Sequence, residues 1–295
     1  MQRNKSSLIS IDGSSTVYPI SEKIIQEFSV EQDGLTFSHT ISGTSGGFNK
    51  LCAGIIEIAN ASRKITKQEA RSCTDNSIEF MEIEVGKDGI ALVVNSENYW
   101  VDFFTVQELQ KLWSLKNEKE IKTWKDIRSS WPDEPIQLFG PSSASGTYDY
   151  FSEVILDYGS SRGDYVASEN DILLVDGVAD NKYGLGFFGF AYYKENYFSL
   201  KLIPIDDQNP ENGDGPITPT ENSVKNGTYQ PLSRTLYMYV STNALANEKL
   251  QDFIEFYLIH ASNIVSDVGN IPHSENIYQK YLSQLDSIKT NLSNN

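Results

Sequence analysis

Three short Gly/Ser/Thr clusters constrain this chain more than any other feature. Each stands where an apolar run of strand length hands over to a run of helical period. They are Asp12–Thr16 (Asp-Gly-Ser-Ser-Thr), Ser42–Gly47 (Ser-Gly-Thr-Ser-Gly-Gly) and Ser142–Thr147 (Ser-Ser-Ala-Ser-Gly-Thr). Strands and helices alternating through such short connections pack as an α/β fold built on parallel strands. A helix that opens on such a cluster presents unpaired backbone N–H groups, hydroxyls and the positive end of its dipole. One cluster is an ordinary cap, whereas three brought together suit a small tetrahedral oxyanion.

Leu8–Asp12, Leu35–Ser42 and Glu57–Ser62 read as strands. Helices are expected between them over Pro19–Gln32, with Ile20, Ile24, Ile25 and Phe28 at helical spacing, and over Gly46–Gly54. Gly89–Asn95 is the strongest buried-strand signal. A helix over Thr105–Trp113, a strand over Ile136–Phe139 and a helix over Thr147–Leu156 follow it. Further on come strands at Gly186–Tyr193 and Leu202–Ile205, a long loop over 207–231, a strand at Thr235–Ser241 and helices over 246–260 and 274–289. Two clusters precede the Gly89–Asn95 strand and one follows it. A chain that crosses there into a second lobe and returns near Arg234 gives each lobe one wall of a site.

The 295 residues leave room for two such lobes, and a net charge of −16 argues against nucleic acid as a partner. That charge also opposes long-range steering of an anion, so an anion site must work through hydrogen bonds at short range. Cys52 and Cys73, the two cysteines, fit one disulfide in an exported protein or two separate small core residues. With His39, His260 and His273 they show no metal-ligand spacing, so no metal site is expected. No apolar run is long enough to span a membrane. Met1–Ser7 leads into no signal-peptide core, because polar residues resume at Ser10 and Asp12, which fits either a cytoplasmic protein or an exported one whose signal is absent from this sequence. Gly184-Leu-Gly186-Phe-Phe-Gly189 matches a dinucleotide fingerprint only formally, since the aromatics after it read as strand rather than helix start. There is no P-loop motif and no Gly-x-Ser-x-Gly elbow.

The candidate ligand residues follow from the clusters. Ser15 and Thr16 offer hydroxyls, with the Thr16 N–H directed at the same spot and Ser14 beside them. Thr44 and Ser45 offer donors at the next helix start, where Gly43 permits a tight turn and Gly46 and Gly47 a close backbone approach. Ser145, Gly146 and Thr147 supply two hydroxyls and backbone donors, and Asp149 falls in the first turn of the helix they open. Arg63 follows a strand end after Ser62, and its planar fork of donors suits an oxyanion.

At these residues the chain resembles the phosphate-binding proteins of bacterial ABC phosphate importers. The shared motifs are Gly-Ser-Ser-Thr-Val-Tyr-Pro over Gly13–Pro19, Ser-Gly-Thr-Ser-Gly-Gly-Phe over Ser42–Phe48, Ile-Ala-Asn-Ala-Ser-Arg over Ile58–Arg63 and Ser-Gly-Thr-Tyr-Asp-Tyr-Phe over Ser145–Phe151. The aromatic run Leu185–Tyr193 matches a further signature, and the ordered set spans about residues 8–260. The resemblance implies a two-lobed periplasmic-binding-protein fold of type II. Each lobe would be a mixed, mainly parallel sheet flanked by helices, with residues 1–88 and 233–295 in one lobe, 89–232 in the other and a two-strand hinge between. It implies a monomer that closes on inorganic phosphate, uses no cofactor and no catalytic residue, and delivers its ion to an inner-membrane ABC permease. Its place would be periplasmic or at the cell surface, with the export signal absent from this sequence.

Carried over by position, Ser15, Thr16, Thr44, Ser145, Gly146 and Thr147 hydrogen-bond the ion. The better-known branch of the family has an aspartate where this chain has Ser62 and an arginine where it has Pro141. Arg63 is then expected to replace that positive charge. Asp149, or failing it Asp176, is expected to accept the ligand's proton and so tell phosphate from sulfate. The alternatives are another oxyanion (sulfate or molybdate) on the same fold, a phosphoester hydrolase with Ser145 or Ser15 as nucleophile, and a surface protein that keeps only the fold.

Overall fold

Each of the first three strands hands over to a helix or to a turn that leads into one. The order is β1 (Ser7–Gly13), α1 (Tyr18–Glu31), β2 (Leu35–His39), α2 (Gly43–Cys52), β3 (Ile58–Ala61), α3 (Lys67–Asp75) and β4 (Phe80–Asn95). The computed structural model describes residues 7–31, 35–143, 145–168 and 170–293. β1 lies between β2 and β3 and is parallel to both, with Ile11 opposite His39 on one side and Ile58 on the other. Parallel neighbours need a crossover, which α1 and α2 provide. Pro19 sits in the first turn of α1, where its missing N–H costs nothing. Ile20, Ile24 and Phe28 on the inner face of α1 are buried.

The next stretch holds β5 (Phe104–Thr105), α4 (Val106–Trp113), α5 (Trp124–Ile127), β6 (Gln137–Gly140), α6 (Gly146–Leu156), β7 (Val166–Ala167) and α7 (Asp171–Ala179). It continues through β8 (Gly184–Gly189), α8 (Phe190–Glu195), β9 (Leu200–Leu202), β10 (Ile205–Asp206) and α9 (Glu221–Asn226). β11 (Ser233–Ser241), α10 (Glu248–Asp267) and α11 (Glu275–Ser293) close the chain.

Two units result, Met1–Lys87 with Thr235–Asn295 and Asp88–Arg234. The chain passes from the first to the second inside β4 and returns inside β11. In the first unit β11 runs antiparallel to β3, pairing Tyr237 with Ala61 and Val240 with Ile58. Its core joins Ile9, Ile11, Met81, Ile83 and Met238 to the inner faces of α1, α10 and α11. Phe28 meets Phe253 of α10 edge-on at 5.4 Å. In the second unit β6 is parallel to β7 and β8, while β8 and β9 run antiparallel to β4. Its core is aromatic: Phe151 stacks on Phe187 at 3.9 Å and Trp113 meets Phe187 edge-on at 4.9 Å. Cys52 at the end of α2 and Cys73 in α3 form a disulfide. Among the described residues no helix is long and apolar enough to cross a membrane.

Several expected elements differ. The strand expected over Gly186–Tyr193 stops at Gly189, because the ladder with β4 ends at the Ile90–Gly189 pair and the chain beyond satisfies its backbone as α8. Pro204, with no N–H to give a ladder, separates β9 from β10 where a single strand was expected. The loop expected over 207–231 contains α9, started by a capping box between Thr220 and Ser223. The pattern also hid α3, α7 and the first half of β4. In β4, Met81, Ile83 and Val85 point inward between the less buried Glu82 and Glu84.

Candidate functional site

Because β1, β2 and β3 run side by side in one direction, their C-terminal ends share one edge of the sheet, the edge at which α/β proteins bind ligands. The segments leaving them are Ser14–Thr16, Thr40–Ser45 and Ser62–Arg63, so two clusters and the arginine meet within the first unit. Backbone bonds knit the edge: Ser14 N–H donates to Asn60 O at 2.9 Å and Thr40 N–H to Ile11 O at 3.0 Å. Two glycines make the approach possible. A Cβ on Gly13, whose φ is +135°, would lie 2.1 Å from Asn60 O. A Cβ on Gly47 would lie 2.8 Å from Gly13 Cα. The second cluster's helix starts at Gly43, earlier than the expected Gly46, which places Thr44 and Ser45 in its first turn.

Asp12 joins the two clusters. Its buried carboxylate accepts from Lys50 Nζ of α2 and, at 2.6 Å, from the Gly13 N–H. Burial raises this carboxyl, but hydrogen bonds from Lys50, Ser42, Thr40 and Gly13 outweigh it and hold the group below the usual aspartate range. Thr44 Oγ1 lies 3.1 Å from Ser62 Oγ and accepts the Ser62 N–H at 3.1 Å. Ser14 is buried, and its Oγ accepts the Thr16 N–H at 3.2 Å. That is a correction: this N–H closes a local cap instead of aiming at the expected spot. Ser15 and Thr16, which follow Ser14, are half-buried.

Arg63 stands where the third strand ends, but its fork already has a protein partner. Nη1 and Nη2 donate to the Glu69 carboxylate at 2.9 and 2.8 Å, and Nη2 also donates to Ser45 Oγ at 2.8 Å. Burial raises the Glu69 carboxyl, yet Arg63 and the Thr66 N–H and hydroxyl bring it below its ordinary value. Glu69 therefore fixes the guanidinium against the start of α2 and also closes the capping box of α3. Sequence reading missed Glu69. The Thr66-x-x-Glu69 spacing marks it as a cap, and only the fold brings both of its oxygens to Arg63.

The third cluster lies in the second unit at the start of α6. Ser145 is the N-cap, its Oγ accepting the Thr147 N–H at 3.2 Å, and the helix starts at Gly146. Ala144 lies outside the described residues. Asp149 is in the first turn with its carboxyl raised: desolvation and Glu153 push it up, and Arg234 opposes them. Asp176 is exposed on α7, one residue before Gly177, whose absent Cβ leaves room for the ring of Phe139.

Arg234, which sequence reading used only to mark the chain's return, sits over this cluster. Its guanidinium carbon lies 3.9 Å from the centre of the Tyr150 ring, Nη2 is 3.4 Å from Gly146 O, and Nε is 3.4 Å from Asp88 Oδ2. The signal available in the sequence was an arginine in an otherwise apolar and hydroxylic strand, Ser233–Ser241. Tyr150, beneath it, is buried with its phenol pushed up by desolvation, and donates to Pro231 O at 2.5 Å.

The profile of the PBP superfamily domain matches residues 2–259. The chain belongs to the PBP superfamily, on its PstS-like branch. Protein SphX of a Synechocystis species is 44% identical over 272 residues, 92% of this chain and 80% of that protein. The phosphate-binding protein PstS of Staphylococcus saprophyticus is 34% identical over 278 residues, 94% of this chain and 84% of that protein. A solved structure of a possible phosphate binding protein from Planctomyces limnophilus is 38% identical with a TM-score of 0.89, covering 96% of this chain and 99% of that one. Membership in the superfamily accounts for the two α/β units and for the two strands, β4 and β11, that connect them.

Proposed function

We propose that this protein is a receptor for inorganic phosphate, HPO4 or H2PO4, that both half-sites serve one ion, and that closure about the connecting strands buries it for delivery to an ABC-type permease. The observation that carries this reading is the meeting of Ser14–Thr16, Thr44–Ser45 and Ser62–Arg63 at one edge of three parallel strands. The relative named a phosphate-binding protein, 34% identical over 94% of the chain, supports the choice of ion. In this reading Ser15, Thr16, Thr44, Arg63, Ser145, Gly146 and Thr147 donate to the oxygens. Each charge-assisted bond contributes about 1.5–3 kcal/mol, so several together reach micromolar or tighter affinity after the costs of ordering and desolvation.

Asp149 is the proposed acceptor of the ligand's proton. A carboxylate facing the ion accepts from HPO4 and repels fully ionised sulfate. The test is calorimetric titration of phosphate-stripped protein with phosphate and with sulfate between pH 5 and 8.5. Tight one-to-one phosphate binding with little sulfate binding is expected, and Asp149→Asn is expected to narrow the gap between the two anions. Equal sulfate affinity in the wild-type protein would overturn the choice of phosphate. An unchanged gap in the variant would remove Asp149 from the role.

A further inference from the structure

The second unit's half-site holds a cation that the motifs do not include. Resting on the phosphate reading, we infer that Arg234 is the positive ligand of that half-site and that Asp88 is its counter-ion, so that the bound anion and Asp88 share one guanidinium. Asp88 and Arg234 are the first and last residues of the second unit, on the outgoing and returning connecting strands. They lie 146 positions apart in the chain, yet Asp88 Oδ2 is 3.4 Å from both Nε and Nη2 of Arg234.

Three features place that charge for use by an anion. The Arg234 side chain is only 10% exposed, so its field is less screened than that of a surface arginine. The Tyr150 ring supports the guanidinium plane at 3.9 Å, which restrains it by a cation–π contact and leaves the planar fork set in one orientation. Nη2 reaches Gly146 O at 3.4 Å, so the guanidinium lies beside the helical turn that carries Ser145, Gly146 and Thr147. The Arg63 fork, by contrast, is matched to Glu69 at 2.8–2.9 Å. Arg234 and Asp88 meet at longer range, a pairing that an incoming oxyanion can share.

The assignment makes opposite predictions for the two partners. Arg234→Gln removes a charge-assisted interaction with the ligand and is expected to weaken phosphate binding about thirtyfold or more. Arg234→Lys keeps the charge without the fork and is expected to recover part of that loss. Asp88→Asn removes the competing carboxylate, so it is expected to tighten phosphate by a few fold. A purely structural ion pair predicts no gain in affinity from either change.

The experiment is titration of wild-type protein and the three variants with inorganic phosphate, with melting temperatures measured alongside. Loss in Arg234→Gln, partial recovery in Arg234→Lys and tighter binding in Asp88→Asn support the assignment. Binding by Arg234→Gln within threefold of wild type overturns it while leaving the phosphate reading intact. Equal weakening in all three variants, with matching drops in melting temperature, also overturns it by reducing the pair to a structural role. Absence of phosphate binding in the wild-type protein overturns the functional reading and this assignment with it.

Discussion

Replacing Gly47 with alanine tests the close approach of α2 to β1 in the candidate half-site of the first unit. The added Cβ would stand 2.8 Å from Gly13 Cα and 3.0 Å from Asp12 O, and both neighbours are backbone. Carbon atoms pack at about 3.5 Å or more, so α2 must back away from β1 by roughly 0.7 Å or strain the turn after Asp12. Overpacking of this kind costs about 1–3 kcal/mol, against about 1 kcal/mol gained from alanine's better helix propensity. The expected net loss is about 1 kcal/mol, or a fall in melting temperature of about 2–4 °C for a unit of this size. Affinity should suffer more than stability, because the same displacement separates Thr44 and Ser45 from Ser15 and Thr16, and a tenfold or greater loss of phosphate binding is expected. Gly46→Ala is the control. Its Cβ would meet the hydroxyl and Cβ of Ser42, at 2.4 and 2.8 Å; the hydroxyl can rotate away, and the Cβ contact is relieved by a shift of the residue before α2, with no neighbour on β1 involved. Melting by circular dichroism and phosphate titration on both variants decide the matter. A Gly47→Ala protein that is more stable by the full propensity gain and binds as tightly as wild type would refute the packing argument.

Two further predictions concern what holds this half-site together. Asp12 has a depressed carboxyl in the folded protein, so its contribution is present above the unfolded value of about 3.9 and is lost as the pH falls through the folded value. Asp12→Asn is expected to destabilise the protein by about 1–3 kcal/mol near neutral pH and to flatten the loss of stability below about pH 4. Denaturant unfolding between pH 2.5 and 7 checks this, and a variant curve parallel to wild type counts against it. The Cys52–Cys73 bond closes a 21-residue separation, so Cys52→Ser/Cys73→Ser is expected to lose about 3 kcal/mol by the chain-entropy estimate. It should also bind phosphate more weakly, since the disulfide ties α2 to the helix that carries Glu69. Unchanged affinity in that double variant would show that the contacts of Arg63 with Glu69 and Ser45 hold the arginine without the disulfide.

Much of the candidate half-site in the first unit was legible because its information is local. A Gly-Ser-Ser-Thr or Ser-Gly-Thr segment between a strand and a helix states both its backbone conformation and its donors, whatever surrounds it. The Thr16 N–H falls elsewhere for the same local reason: the Ser14 hydroxyl two residues earlier takes it, as the Ser145 hydroxyl takes the Thr147 N–H. The alternation in Phe80–Asp88 was overlooked beside the continuous apolar run that follows it. Yet that segment carries β4 to the boundary between the two units.

From the sequence alone came the alternation of strands and helices, the parallel character of the opening sheet and the hydroxyl-rich turns, because periodicity, glycine placement and capping act over a few residues. Charge pairing across the sheets was decided only in the tertiary structure. Asp12 meets Lys50 across 38 positions and Arg234 meets Asp88 across 146, and Glu69 turns to Arg63 only once α3 is docked. Salt-bridge partners are selected by which strands become neighbours and which helix start faces them. That choice is made by burial of the whole apolar pattern, and no window of a few residues contains it.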